Sequence, residues 1–191
     1  MTTALEIAKY VLARTDRSIT GKRLQKLVYF CDAWHMTALD RALFPAEPEA
    51  WKKGPVYREL WDRTGFSYFG VSEKAMPDVE VPTLPEDSKA IIESVLSYYD
   101  QYSDYQLIEL AHEEGSPWKR VYVEYANNRI ERESMREHYS GVIARNEARP
   151  ALPVTVYNYV LQEDMDEIET SLDDATPAPG LVSMLIKAKT G

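Results

Sequence analysis

The fold predicted for this chain depends on residues 20–35, which read TGKRLQKLVYFCDAWH. We expect this stretch to form one helix that runs to about Leu39, with Thr20 as its N-cap. At 100° per residue, mostly nonpolar side chains cover two opposite faces of that helix. The wider face holds Leu24, Leu27, Val28, Cys31, Trp34, His35, Ala38 and Leu39, and the opposite face holds Tyr29, Phe30, Ala33 and Met36. Such a helix must be surrounded by other elements, so we place it at the centre of the domain.

Helical patterns also cover much of the chain on either side of this central segment. Further helices are predicted at residues 3–14, 55–64, 87–99, 103–113, 117–125 and 133–146. Gly54 and Pro55 are expected to open the second of these, and the fifth is expected to contain Trp118, Val121, Tyr122 and Tyr125. Residues 50–52 read as a short extended piece, and the proline-containing residues 65–86 as a loop or short hairpin. The predicted fold is therefore mainly α, a single compact helical domain over residues 1–149 with minor β or extended segments.

The composition changes after Arg149, where Pro150 and Pro153 mark a joint. Residues 154–161 are β-branched and aromatic like a strand, residues 163–174 are acidic, and residues 181–189 fit a short helix. Residues 150–191 are therefore interpreted either as a partner-binding appendage or as a strand that pairs with residues 65–85, followed by a docked terminal helix. The partner-binding candidates in this acidic C-terminal extension are Tyr157, Tyr159, Leu181, Met184 and Leu185.

The charge distribution bears on the class of partner. The 191 residues carry a net charge of −9, divided as +3 over residues 1–60, −7 over residues 61–150 and −5 over residues 151–191. Nucleic acid is disfavoured as the main ligand because phosphate binding requires a clustered positive field. A basic protein partner, or an acidic tail that mimics nucleic acid, fits better. The N-terminus lacks the features of a secretory signal and no stretch is long and apolar enough to span a bilayer, so we expect a cytoplasmic protein without a membrane partner.

The sequence offers little that indicates catalysis. Cys31 is the single cysteine, the three histidines have no metal-ligand spacing, and no glycine-rich phosphate loop is present. Cys31 and His35, four residues apart on one helical face, are the strongest enzymatic hint, and a buried structural pair explains them equally well. His112 is expected to lie at a helix C-terminus and to interact with the helix dipole, and His138 to be structural. We therefore expect no enzyme activity, no metal and no cofactor.

Basic side chains suggest two weaker alternatives. Lys52, Lys53 and Arg58 surround the predicted start of the helix at residue 55, where an anion could bind, although a solvated turn is the simpler interpretation. Lys22, Arg23 and Lys26 begin the central helix, and with the preceding helix they resemble part of a helix-turn-helix. Two helices of a bundle are favoured over that interpretation, because the second helix is too apolar to lie in a DNA groove.

Three stretches carry a resemblance to a known family. Residues 24–35 (LQKLVYFCDAWH), 49–57 (EAWKKGPVY) and 110–119 (LAHEEGSPWK) resemble, in order and spacing, the signature stretches of the Panacea domain family. That family includes phage- and prophage-associated proteins and the antitoxins of many bacterial toxin–antitoxin pairs, and the resemblance covers about residues 4–145. The shared residues, interpreted as scaffold or partner surface, are Leu24, Gln25, Lys26, Tyr29, Trp51, Gly54, Pro55, His112, Pro117 and Trp118.

The resemblance implies a helical domain without enzymatic activity that neutralises a toxin by direct binding. The leading prediction is accordingly a cytoplasmic antitoxin of a bacterial toxin–antitoxin system, whose partner is a cognate toxin and to whose binding the acidic extension contributes. One branch of the family delivers its toxin to an ATP-dependent protease, so a protease adaptor is an alternative. A nucleic-acid-binding autoregulator that uses Lys22, Arg23 and Lys26 is another, and an enzyme that uses Cys31 and His35 comes last.

Overall fold

The computed structural model describes residues 2–153 except residues 16, 66, 68 and 69. Within these residues the chain forms seven α-helices, one short 3-10 turn at Glu73–Ala75 and one two-stranded antiparallel sheet. The helices are α1 (Ala4–Arg14), α2 (Gly21–Leu39), α3 (Arg58–Thr64), α4 (Glu86–Tyr99), α5 (Asp104–Ala111), α6 (Pro117–Val121) and α7 (Arg132–Ala144), and the strands are β1 (Glu49–Trp51) and β2 (Gly54–Val56). The mainly helical fold class is confirmed. The strand and the terminal helix predicted after residue 153 lie outside the described residues.

Helix α2 lies at the centre of the fold, as its two nonpolar faces predicted. It packs against α1, α3, α4, α5, α7 and β2, and nearly all of its residues are buried. Thr20 caps its N-terminus, with the Thr20 hydroxyl oxygen accepting a hydrogen bond from the Arg23 amide at 3.1 Å. Burying one large nonpolar side chain stabilises a fold by roughly 1.5–3 kcal/mol. Packing around α2, rather than intrinsic helix propensity, therefore holds this helix in place.

The predicted caps of two further helices are also confirmed. Ser103 and Gln106 form a reciprocal capping box at the start of α5. At α6, the Ser116 hydroxyl oxygen accepts a hydrogen bond from the Lys119 amide at 3.2 Å, and Pro117 is the first helical residue. Ser116 is buried, and its hydroxyl also donates to the Ala111 carbonyl at 3.0 Å. One serine therefore connects the end of α5 to the start of α6.

The helix predicted to begin at Pro55 begins instead at Arg58. Residues 54–56 form β2, which pairs with β1 in the register Ala50↔Pro55, so the predicted extended piece at residues 50–52 is one strand of a hairpin. Long-range hydrogen bonds explain the error, because side chains of α2 hold the backbone of Pro55 and Tyr57 in an extended conformation. A proline at a first helical position is a local signal that such tertiary contacts override.

The helix predicted to include Tyr122 and Tyr125 ends at Val121, so the predicted helical position of Tyr125 is wrong. Tyr122 has extended backbone angles, and the Asn128 side-chain amide donates to the free carbonyl of Val121 at 2.8 Å. The chain then turns with Tyr125 at φ +66° and Asn127 at φ +51°. As a result, Tyr125 is 87% exposed.

The packed part of the described chain continues beyond the predicted boundary at residue 149. Leu152 is buried, and the Ser94 hydroxyl donates a hydrogen bond to the Ala151 carbonyl at 2.7 Å. Residues 150–152 therefore contribute to the packing of the helical domain. Among the described helices, none has the length and apolar character needed to cross a membrane.

Candidate functional site

The family-signature residues of α2 hold the segment that connects the β1–β2 hairpin to α3. The Tyr57 amide donates to Gln25 Oε1 at 3.0 Å, and Gln25 Nε2 donates back to the Tyr57 carbonyl at 3.2 Å. Both bonds are buried, so breaking them would leave polar groups without water to replace the lost partners. Gln25 thus fixes the point at which the hairpin ends.

Lys26, the next residue of α2, is almost completely buried. Its ammonium group donates a hydrogen bond to the Pro55 carbonyl at 2.6 Å. Among the described residues, no carboxylate forms an ion pair with Lys26. Burial therefore lowers the pKa of Lys26 to about 7. The lysine binds the hairpin as a hydrogen-bond donor that has lost much of its charge at neutral pH.

Gly54 begins β2 at a place where no side chain fits. Its φ of +95° is one that L residues rarely adopt. A Cβ at this position would lie 2.7 Å from Lys26 Cε, 2.9 Å from Lys26 Nζ and 3.3 Å from His112 Nε2. Glycine thus lets the hairpin approach both the lysine of α2 and the histidine that follows α5.

His112, Trp118 and Tyr122 form an aromatic stack beside this hairpin. The His112 and Trp118 rings are 3.6 Å apart and nearly parallel, and Tyr122 continues the stack at 4.3 Å from Trp118. Trp118 Nε1 donates to the Trp51 carbonyl at 2.8 Å, which ties α6 to β1. Burial, and then the charges of three lysines that include Lys26, lowers the pKa of His112 to about 4. His112 lies at the C-terminus of α5, as predicted, but its ring is neutral at pH 7 and brings no full charge to the helix dipole.

The remaining signature residues are also engaged in contacts that hold the fold together. Leu24 and Tyr29 are completely buried in α2, and Pro117 opens α6. Trp51 is partly exposed, packs against Trp61 at 5.2 Å and lies under the Arg58 guanidinium. The geometry thus favours the scaffold interpretation of the signature, and a direct role of these residues in partner binding stays a prediction.

The Cys31–His35 pair does not have the geometry of a reactive dyad. Cys31 is completely buried, and burial raises the pKa of its thiol. Both ring nitrogens of His35 are already engaged, Nδ1 with the Arg41 carbonyl and Nε2 with the Ser88 hydroxyl, each at 2.9 Å. Burial lowers the pKa of His35 to about 4. The arrangement is that of a satisfied core histidine beside an inert core thiol.

The predicted basic sites are largely occupied by contacts within the chain. The Arg23 guanidinium is buried against the Tyr102 carbonyl at 2.6 Å, and Lys26 is buried under the hairpin, so neither presents its charge to a nucleic acid. At the hairpin, Lys52 forms an ion pair with Glu124 at 3.1 Å and Arg58 forms one with Glu49 at 3.2 Å. These contacts leave little of the predicted anion site at Lys52, Lys53 and Arg58.

A pocket that was not predicted from the sequence lies between α2, α4, α5 and α7. Its volume is about 240 Å³, and it is lined by four tyrosines and by the carboxylates of Glu113 and Glu147, among other residues. The tyrosines are Tyr98, Tyr99, Tyr102 and Tyr139. Three of them follow a helical spacing at the end of α4, which was a detectable signal, whereas their proximity to Glu113 and Tyr139 depends on the tertiary fold. Described residues form no cluster of acidic, histidine and cysteine side chains that could hold a metal ion.

Comparison with known protein families shows to which family the chain belongs. A family model described as "Antitoxin SocA-like, Panacea domain" matches residues 24–119. The chain belongs to the Panacea domain family. The matched region begins in α2 and ends in α6, so it contains the hairpin together with Gln25, Lys26, His112 and Trp118, whereas Tyr122 and Glu124 follow it. Neither the curated proteins nor the solved structures that were compared gave a match. Membership in this antitoxin-like family supports an antitoxin-like role for the Panacea domain.

Proposed function

We propose that this Panacea protein is a cytoplasmic antitoxin that neutralises a cognate toxin by direct protein–protein binding. The observation that carries the proposal is the match of residues 24–119 to the antitoxin SocA-like model. The acidic chain, with a net charge of −9, favours a basic partner and speeds its association through long-range attraction. The acidic extension after residue 149 contributes to this binding.

Neutralisation by binding requires no catalysis by the antitoxin. The buried, inert thiol of Cys31 and the fully engaged ring of His35 support this part of the proposal. Replacing Cys31 by alanine should therefore leave protection against the toxin unchanged. Loss of protection in a Cys31→Ala variant that still folds would contradict it.

Co-expression with the toxin candidate encoded next to this protein tests the proposal. The full chain should restore growth and co-purify with the toxin as a stable complex, whereas an empty vector should not restore growth. A neighbouring protein that is harmless, or one whose toxicity the full chain leaves unchanged, would contradict the proposal.

The toxin level in the same cells separates direct neutralisation from the protease-adaptor alternative. Direct binding should leave the amount of toxin unchanged or increased, because the complex protects it. An adaptor would lower the amount of toxin, and deletion of an ATP-dependent protease would restore it. A salt-dependent mobility shift with DNA would instead favour the autoregulator, although the burial of Arg23 and Lys26 argues against that outcome.

A further inference from the structure

The pocket between α2, α4, α5 and α7 has the shape and polarity of a site for one side chain. Ligand pockets of small molecules usually have volumes of about 300–1,000 Å³, and this one measures about 240 Å³. The Tyr98 and Tyr102 rings lie 5.7 Å apart and their hydroxyl groups are hydrogen-bonded at 3.2 Å. Both tyrosines are partly exposed, so this aromatic wall is reached from solvent.

Glu113 supplies an acidic group beside these rings. Within the described part of the chain, its carboxylate has no hydrogen-bond or ion-pair partner, and burial together with the nearby charge of Glu147 raises its pKa. Glu113 lines the pocket together with Tyr98 and Tyr139, and its charge contributes to the raised pKa values of both tyrosines. Glu113 is exposed as a whole residue, so its carboxylate is only partly desolvated, and a bound cation would compensate both that loss of water and the repulsion from Glu147.

The other charged groups around the pocket do not supply that cation. The Arg145 guanidinium is held by Glu147, with Nε and Oε1 2.6 Å apart. His138 lines the pocket, but its pKa is lowered, mainly by burial, so its ring is neutral at pH 7. The pocket thus combines aromatic rings, one unpaired carboxylate and no free positive charge among its described residues.

We propose that this pocket binds the guanidinium group of an arginine side chain presented by a protein partner. A planar guanidinium stacks on tyrosine rings and donates hydrogen bonds to a carboxylate, and its size suits a pocket of this volume. The acidic character of the whole chain favours the same partner chemistry. That the arginine comes from the toxin rests on the proposed function; the arginine site itself does not.

Titration of the full chain with N-acetyl-arginine amide, followed by the NMR shifts of residues 98–113, tests the site. The uncharged isostere N-acetyl-citrulline amide is the matched ligand. We expect saturable millimolar binding of the arginine derivative and at least fivefold weaker binding of the citrulline derivative, because only the former gains the cation–π and ion-pair energy. Equal binding of the two compounds, or no saturable shift, would overturn the proposal.

Two variants that each remove one negative charge test where the arginine derivative binds. Glu113→Gln should weaken binding of the arginine derivative at least fivefold, whereas Glu109→Gln, which alters an exposed glutamate of α5 four residues earlier in the chain, should leave it within about twofold. Both substitutions are at exposed positions, and circular dichroism verifies the fold. Glu113→Gln binding as tightly as wild type would overturn the assignment of the acidic group.

The full chain with Lys187→Gln and Lys189→Gln tests whether a cation of this chain occupies the pocket instead. Unchanged affinity for the arginine derivative is expected, and a clear increase would overturn the assignment to a partner. In the co-purification assay, Glu113→Gln should retain less toxin than Glu109→Gln. If the wild-type chain gives no protection, the proposed function fails while the titration still decides the site. If it protects and both variants protect equally, the assignment of the arginine to the toxin fails.

Discussion

Two α2 residues, Gln25 and Lys26, hold the β1–β2 hairpin against α2. Neither side chain forms a described hydrogen bond within its own helix. Each reaches out of α2 to the backbone between Pro55 and Tyr57. Their value to the fold is thus a set of hydrogen bonds that water cannot replace. This explains why polar residues occupy buried positions of a helix that is otherwise nonpolar.

The titration of Lys26 should make the stability of the fold depend on pH. An unfolded lysine retains its proton to a pKa of about 10.5, whereas burial lowers the pKa of Lys26 to about 7. Between these values the unfolded chain binds more protons, so raising the pH favours the folded state by up to about 1.4 kcal/mol per pH unit. Below about pH 7 both forms are protonated and the cost of burying the charge is fully present.

Urea denaturation of Lys26→Met between pH 7 and 9 measures this contribution. The wild-type chain should gain stability relative to the variant as the pH rises, while the exposed-site control Lys53→Met should keep the wild-type slope. Parallel curves for wild type and Lys26→Met would show that the buried amine does not titrate in this range.

Replacing Gly54 by alanine adds a methyl group that has two separate costs, backbone strain and a close contact with Lys26. Gly54→Ala introduces both a strained positive φ and a contact with the Lys26 side chain, whereas Gly115→Ala, at φ +76°, has no atom within 4 Å of its new Cβ. Strain of this kind costs about 1–3 kcal/mol, so both variants should lose stability and Gly54→Ala should lose more. Equal losses in thermal denaturation would show that Lys26 moves aside without cost.

At the scale of elements, Ser116 connects two short helices that are too short to be stable alone. Ser116→Ala removes the cap of α6 and the buried bond to Ala111, whereas Ser103→Ala removes only an exposed capping box of α5. An N-cap contributes about 1 kcal/mol, and a buried carbonyl left without a donor costs about 1–3 kcal/mol more. Ser116→Ala should therefore lower the free energy of unfolding more than Ser103→Ala. The opposite order in urea denaturation would contradict this account.

The elements that sequence predicted well are those whose signals are local. The caps at Thr20, Ser103 and Ser116 depend on residues three positions apart, and the two nonpolar faces of α2 depend only on helical periodicity. Pro55 is misplaced because Lys26 and Gln25, distant in the sequence, decide the backbone there. Tyr125 is misplaced because α6 ends at Val121, where the Asn128 side chain binds the last carbonyl, and helical periodicity does not reveal that bond. The arginine pocket combines four helices, so no single stretch contains its signal.

At the scale of the whole molecule, the described chain is one helical domain whose packing includes Leu152. A chain cut after residue 153 keeps every packing contact of the described residues and should unfold cooperatively. A cut after residue 149 removes the buried Leu152 and the Ser94–Ala151 bond. Loss of a large buried side chain costs about 2–5 kcal/mol, so thermal denaturation should show the shorter chain to be clearly less stable. Identical melting of the two would place the boundary at residue 149.

The burial of Lys26 has a consequence for chemical labelling. An amine-reactive ester modifies lysines that solvent reaches. In the folded chain it should therefore acylate the exposed Lys52 and Lys53 and spare Lys26, whose surface is only 1% exposed. Acylation of Lys26 then requires the hairpin to separate from α2. Mass spectrometry of the peptide that contains Lys26, sampled over time, would give the rate at which the hairpin of the Panacea domain opens. The same measurement can be made in mixtures and in the presence of a toxin.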